Sequence, residues 1–182
     1  MPAVICLLRG VNVGGNNILK MDALRSLCES LKLRDVQTYV QSGNIVFRAP
    51  DKDLAMLGAR IETAIEKAFG FRPDVVLRTL DEMRDVAARN PFAGRREEIE
   101  PGKLIVVFMG RDPGAGKMRA LKTVNEEVHH LGRELFIYFP DGMGKSKLSF
   151  APFERGVDKV TYTSRNWNTV TKLIEMAASL EA

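Results

Sequence analysis

The chain has 182 residues, 45% of them hydrophobic and 27% charged, a balance that excludes wholesale disorder and supplies apolar material for one large core or two small ones. Its 27 Lys and Arg exceed its 23 Asp and Glu, and the excess divides equally between two parts though unevenly within them, 13 against 11 up to residue 90 and 14 against 12 beyond, so neither part is a basic arm. No apolar run nears the ~20 residues of a membrane span, and the short apolar start closed by Arg9 lacks the basic leader of a signal peptide, so a cytoplasmic protein is expected.

Ala3 to Leu8 is an unbroken apolar run, which predicts a strand covered on both faces. Arg9 to Asn17, R-G-V-N-V-G-G-N-N, is a Gly/Asn-rich loop, and from Met21 onward Leu24, Leu27, Cys28 and Leu31 recur at helical spacing. Val36 to Gln41 and Ile45 to Arg48 flank Ser42-Gly43, the pattern of a β-hairpin. A second helix carries Leu54, Leu57, Ile61, Ala64, Ile65 and Ala68 on one face and stops at Gly70. Val75 to Arg78 reads as a fourth strand, and Thr79 with Glu82 forms the T-x-x-E capping box of a short helix ending before Pro91. The succession β-α-β-β-α-β predicts a ferredoxin-like first domain over residues 1–90, with strand order 4-1-3-2 and both helices on one face.

Residues 91–102 combine Pro, Gly and a charge run without periodicity, as a linker does. A second, smaller α+β domain is expected over 103–182. Leu104 to Met109 is a fully apolar strand and Arg111 to Gly116 a turn-rich loop. Met118, Leu121, Val124, Val128 and Leu131 predict a helix stopped by Gly132. Leu135 to Phe139 is a strand, Asp141 to Lys147 a Gly/Lys loop, and a further helix is expected near Leu148. Val160 to Thr163 is a candidate strand before a final helix striped by Trp167, Val170, Leu173, Ile174 and Ala177. No residue-level repeat relates the two halves. The fold class is α+β.

Three stretches taken together, V-I-C-L-L-R-G-V-N-V-G-G-N-N-I-L-K-M-D-A-L-R-S-L, V-Q-T-Y-V-Q-S-G-N-I-V-F and T-S-R-N-W-N-T-V-T-K-L, resemble a bacterial family catalogued as domain of unknown function 1697. The resemblance implies a ferredoxin-like first domain followed by a second α+β domain. It implies no activity.

Several familiar chemistries are excluded or weakened by spacing. Gly144-Lys145-Ser146 lacks the first glycine of G-x-x-x-x-G-K-[ST], because Phe139 stands there, so the loop is not expected to bind ATP as a P-loop does. G-V-N-V-G-G is not the dinucleotide fingerprint. His129 and His130, the two histidines, are expected at a solvated helix end, where neighbours diverge by about 100° and cannot share a metal. Cys6 and Cys28 both lie in apolar patterns and read as buried free thiols. An RNA-recognition module needs aromatic residues on its central strands, and here the first strand has none and the third only Phe47. No cofactor and no metal are implied.

The Gly/Asn loops remain. Asn and Gly adopt positive φ at little cost and leave backbone N–H groups open, a property that serves a demanding turn as well as a ligand. In a 4-1-3-2 sheet the end of the first strand and the tip of the hairpin share an edge, grouping Arg9, Asn12, Gly14, Gly15, Asn16, Gln41, Ser42 and Asn44 as candidate ligand-binding residues. At the last helix, Ser164 or Asn166 is an N-cap, placing Arg165 and Asn168 in or beside the first turn, where the dipole favours an anion. Lys145 and Lys147 add cations. The expected function is a binding protein, or an enzyme of unassigned class, for a small polar or phosphorylated ligand. A nucleic-acid-binding protein using Lys and Arg of the second half and a structural or protein-interaction module are the alternatives.

Overall fold

A computed structural model describes residues 1–40 and 43–182; Gln41 and Ser42 lie outside the described residues. The chain divides into two units, the first made of Met1–Asp85 with Lys172–Ala182 and the second of Val86–Thr171.

In the first unit, β1 (Ala3–Arg9), β2 (Arg34–Tyr39), β3 (Asn44–Arg48) and β4 (Asp74–Thr79) form one antiparallel sheet in the order β2-β3-β1-β4, the expected 4-1-3-2. The helices α1 (Met21–Ser30) and α2 (Leu54–Phe69) bury Leu24, Cys28, Leu57, Ile61 and Ile65 against Val4, Cys6, Leu8, Ile45 and Phe47, so both lie on one face. Burying each such aliphatic side chain contributes roughly 1.5–3 kcal/mol. The alternate residues Ile5, Leu7, Val46 and Val76 are buried too, as the unbroken apolar run of β1 requires. α2 begins where the Asp53 carboxylate accepts from Met56 N and ends at Gly70, φ 81°, a left-handed position that glycine fills without strain. α3 (Leu80–Ala88) opens with a reciprocal capping box: Thr79 N donates to Glu82 Oε2 at 2.8 Å and Glu82 N to Thr79 Oγ1 at 3.1 Å.

The second unit repeats the strand order without repeating the residues. β5 (Leu104–Met109), β6 (Glu127–Leu131), β7 (Glu134–Tyr138) and β8 (Tyr162–Asn166) form an antiparallel sheet ordered β6-β7-β5-β8. Its core gathers Ile105, Val107, Leu135, Ile137, Phe139 and Phe153. The short helices are α4 (Gly114–Ala120) and α5 (Ala151–Glu154), the latter near the helix expected around Leu148. Segment 91–102 carries two 3-10 turns, Ala93–Arg95 and Pro101–Lys103.

Two expectations are corrected here. The stripe from Met118 to Leu131 is not one helix: α4 stops at Ala120, and residues 127–131 form β6. Gly132, φ 63°, does not stop a helix but opens the two-residue turn between Leu131 and its partner Glu134. β7 is buried and needs a hydrogen-bonding neighbour on its outer side, and that pairing outweighs a helical spacing interrupted by Thr123, Val124 and Asn125, all poor helix formers. Second, the strand expected at 160–163 runs instead from Tyr162 to Asn166, because those five residues pair with Met109 back to Ile105. α6 (Trp167–Glu181) follows immediately, running from the second unit into residues that belong to the first.

Candidate functional site

The loop after β1 is folded largely on its own asparagines. Asn12 takes φ 56° and its side chain acts as a surrogate peptide, accepting from Leu19 N at 2.7 Å and donating to Leu19 O at 2.9 Å. Asn17 Nδ2 donates to Gly10 O at 3.0 Å. Gly14 and Gly15, φ 58° and 77°, form a turn closed by Asn16 N to Val13 O at 3.0 Å, the two-positive-φ geometry that favours glycine pairs. Asn16 is exposed at this tip, and Arg9 pairs with Asp74 at 3.3 Å. Asn44 is buried and donates to Tyr39 O at 2.9 Å, bridging the hairpin end. The roots of the two loops meet, because Leu8 N donates to Gly43 O at 2.9 Å. Gln41 and Ser42 lie outside the described residues. Asn12 and Asn44 thus shape their own loops.

At the other end of the chain, Arg165 stands beside the first turn of α6, one residue before its cap, rather than in it. It lies on β8 opposite Val106, 9% exposed, and its Nη1 donates to Thr163 Oγ1 and Ser164 O, both at 2.7 Å. The cap of α6 is Asn166, whose Oδ1 accepts from Thr169 N at 2.9 Å; Ser164 sits inside the strand. Asn168 is exposed on the first turn.

Lys145 and Lys147 do come together, on the wall of a pocket of about 260 Å³. The pocket lies beside the β6–β7 hairpin. Because Glu127 pairs with Tyr138, the residues just before β6 and just after β7 occupy one end of the sheet. The first group supplies Asn125 and Glu126; the second supplies Phe139, Asp141, Gly142 and the Lys145-Ser146-Lys147 run. The Ser146 hydroxyl donates to Glu126 Oε1, and Val124 N donates to Glu126 Oε2 at 2.7 Å. These two bonds, the serine's first, hold the Glu126 carboxyl below the usual carboxylate range. Asp141 Oδ2 accepts from Asn125 Nδ2 at 2.6 Å. Both lysines are exposed and have no ion-pair partner among the described residues.

The backbone of this loop differs from a phosphate cradle. Gly142 N, Lys145 N and Ser146 N donate to Phe139 O, Gly142 O and Met143 O at 2.9, 3.3 and 3.1 Å, and Leu148 N donates to Ser146 Oγ at 3.0 Å. These amides are engaged within the loop, and the next helix, α5, has only four residues to lend a dipole, so an anion here would meet lysine side chains rather than N–H groups.

A second polar cluster was not indicated by the sequence. Arg95 bonds both oxygens of Glu127 at 2.9 and 2.8 Å and Glu98 at 2.8 Å. His129 Nε2 lies 2.7 Å from Glu127, and its ring meets Phe92 edge-on at 5.2 Å. His129, then Arg95, hold the Glu127 carboxyl below its ordinary value. The two histidines belong to β6 and not to a helix end; His130 turns to Gly132 O and Asp112. Among the described residues no group of three His, Cys, Asp or Glu is placed to hold a metal ion, and no helix is long and apolar enough to cross a membrane.

A family model described as protein of unknown function (DUF1697) matches residues 1–136. Among solved structures the chain is similar to the conserved bacterial protein SP0830 from Streptococcus pneumoniae, at 25% identity and a TM-score of 0.77, over 97% of this chain and 98% of that one. No curated protein matches.

Proposed function

Because the chain belongs to the DUF1697 family, whose description assigns no activity, we propose a function from its own geometry: it binds a small polar ligand that carries a phosphate or carboxylate group, in the pocket beside the β6–β7 hairpin. The observation that carries the reading is that Lys145 and Lys147 open onto a concave site without carboxylate partners among the described residues. A surface lysine is a mobile, strongly hydrated point charge. Two of them stand on one wall, on either side of a Ser146 anchored to Glu126, and together they present a concentrated positive charge to an anion. The buried free thiols Cys6 and Cys28 favour a reducing compartment, which supports placing the protein in the cytoplasm.

The test is a thermal-shift screen against inorganic phosphate, sugar phosphates and small carboxylates. A ligand at a hundredfold excess over its Kd adds about 2.7 kcal/mol to the folded state, or roughly 5–10 °C in Tm for a chain of this size. The Lys145→Ala, Lys147→Ala double variant should lose that shift while keeping its ligand-free Tm. A shift that survives the double variant places the ligand elsewhere. Nucleic-acid binding with a steep salt slope replaces the reading altogether.

A further inference from the structure

We propose that the ligand of this pocket is zwitterionic, with an anionic group on Lys145 and Lys147 and an ammonium group on Asp141; the inference rests on the pocket reading above. It comes from asking which charges on the wall are still open. Glu126 is closed, since one oxygen accepts from the Ser146 hydroxyl and the other from Val124 N. Asp141 is half open: Oδ2 holds Asn125 Nδ2 at 2.6 Å, and Oδ1 has no partner among the described residues. Asp141 also forms no ion pair with either lysine, so positive and negative functions stand apart on one wall.

The balance of charge selects the same class. The pocket is lined by two cations and two carboxylates, net neutral. The donors to Glu126 and Asp141 are neutral, so neither carboxylate is cancelled by its partner. A polyphosphate brought to the lysines also meets two negative groups, which repel it. A phosphate or carboxylate joined to an amine satisfies the lysines and uses the open oxygen of Asp141 as well. The volume, about 260 Å³, suits a molecule of that size.

Four probes in two matched pairs test this by calorimetry at low salt: O-phosphoethanolamine against ethyl phosphate, and β-alanine against propanoate. We expect the amine member of at least one pair to bind tenfold or more tightly than its partner, and the pair that does so identifies the anionic group. Asp141→Asn, which keeps an acceptor for Asn125, should abolish the difference, while the amine-free probe binds at least as tightly as before. Equal binding within both pairs, or an amine preference that persists in Asp141→Asn, overturns the zwitterion and leaves the anion pocket standing. Failure of all four probes to bind overturns both.

Discussion

Leu8 and Gly43 touch through backbone and side chain at once: Leu8 N donates to Gly43 O at 2.9 Å, and a Cβ placed on Gly43 would stand 2.8 Å from Leu8 Cβ. Gly43 also takes φ 84°, so this glycine is demanded twice, by conformation and by contact. Gly43→Ala should cost about 2–4 kcal/mol, left-handed strain plus crowding of a core strand. Gly14→Ala, at φ 58° but facing open space, should cost only about 1 kcal/mol. Urea unfolding of the two variants checks the difference; equal losses would remove the Leu8 contact from the explanation.

Asn166 and Arg165 are neighbours with separable roles. Asn166→Ala removes the cap of α6 and should cost about 1 kcal/mol, whereas Ser164→Ala should leave the helix end intact. Arg165→Ala withdraws a buried, charge-assisted donor from Thr163 and Ser164 and should cost about 2–3 kcal/mol. Melting curves of these three variants and of Lys147→Ala, with anion binding measured in parallel, should show Arg165→Ala losing stability and Lys147→Ala losing binding.

Acid should weaken the second unit through Glu126 and Glu127. Both carboxyls are held below their ordinary value by folded-state partners. Their stabilisation is therefore fully present above the unfolded value, near ~4.3, and is lost as pH falls through the lower folded values. Glu126→Gln and Glu127→Gln should each flatten the acid limb of a stability–pH curve measured by urea melts between about pH 6 and about pH 2.5. A limb that keeps its slope in both variants assigns acid sensitivity to other groups.

Cys28 makes the opposite prediction at high pH. Burial, with Glu29 adding to it, pushes its thiol up to about 12. A raised folded-state value leaves stability intact below the unfolded thiol's ~8.5 and erodes it as pH climbs toward the folded one. Cys28→Ala should shift the whole curve down through lost packing yet reduce its alkaline slope. In the native protein at neutral pH, labelling of Cys28 by a thiol reagent should proceed only as fast as the protein opens.

The legible parts of the sequence are those fixed by neighbours in the chain. The stripe of α2, its stop at Gly70 and the Thr79–Glu82 box are all set within a few residues, and they came out as expected. The stripe from Met118 to Leu131 misled because its true determinant is remote: β6 exists to pair with β7. Reading Leu131-Gly132-Arg133-Glu134 as a hairpin turn was the available signal, and it would have located the pocket too. Glu127 opposite Tyr138 places Glu126 beside Asp141, fifteen residues on, although no linear motif joins them. That Arg165 is a buried strand residue was hidden for a related reason. Its alternation with Thr163 is a strand period, and a buried arginine has no local sequence mark.

Ala3 N, in β1, donates to Glu181 Oε1 at 2.8 Å, and Arg48 Nη1 reaches Leu180 O at 3.5 Å. Residues 172–182 belong to the first unit. Seen from the ribosome, the first unit is therefore finished only after the whole of the second has been made. The Ala3 amide and its acceptor are 178 positions apart in the chain. Loop closure over such a span adds little to equilibrium cost but delays folding, so a nascent chain stopped short of α6 holds an unfinished first unit, the state in which exposed apolar surface invites chaperones or aggregation.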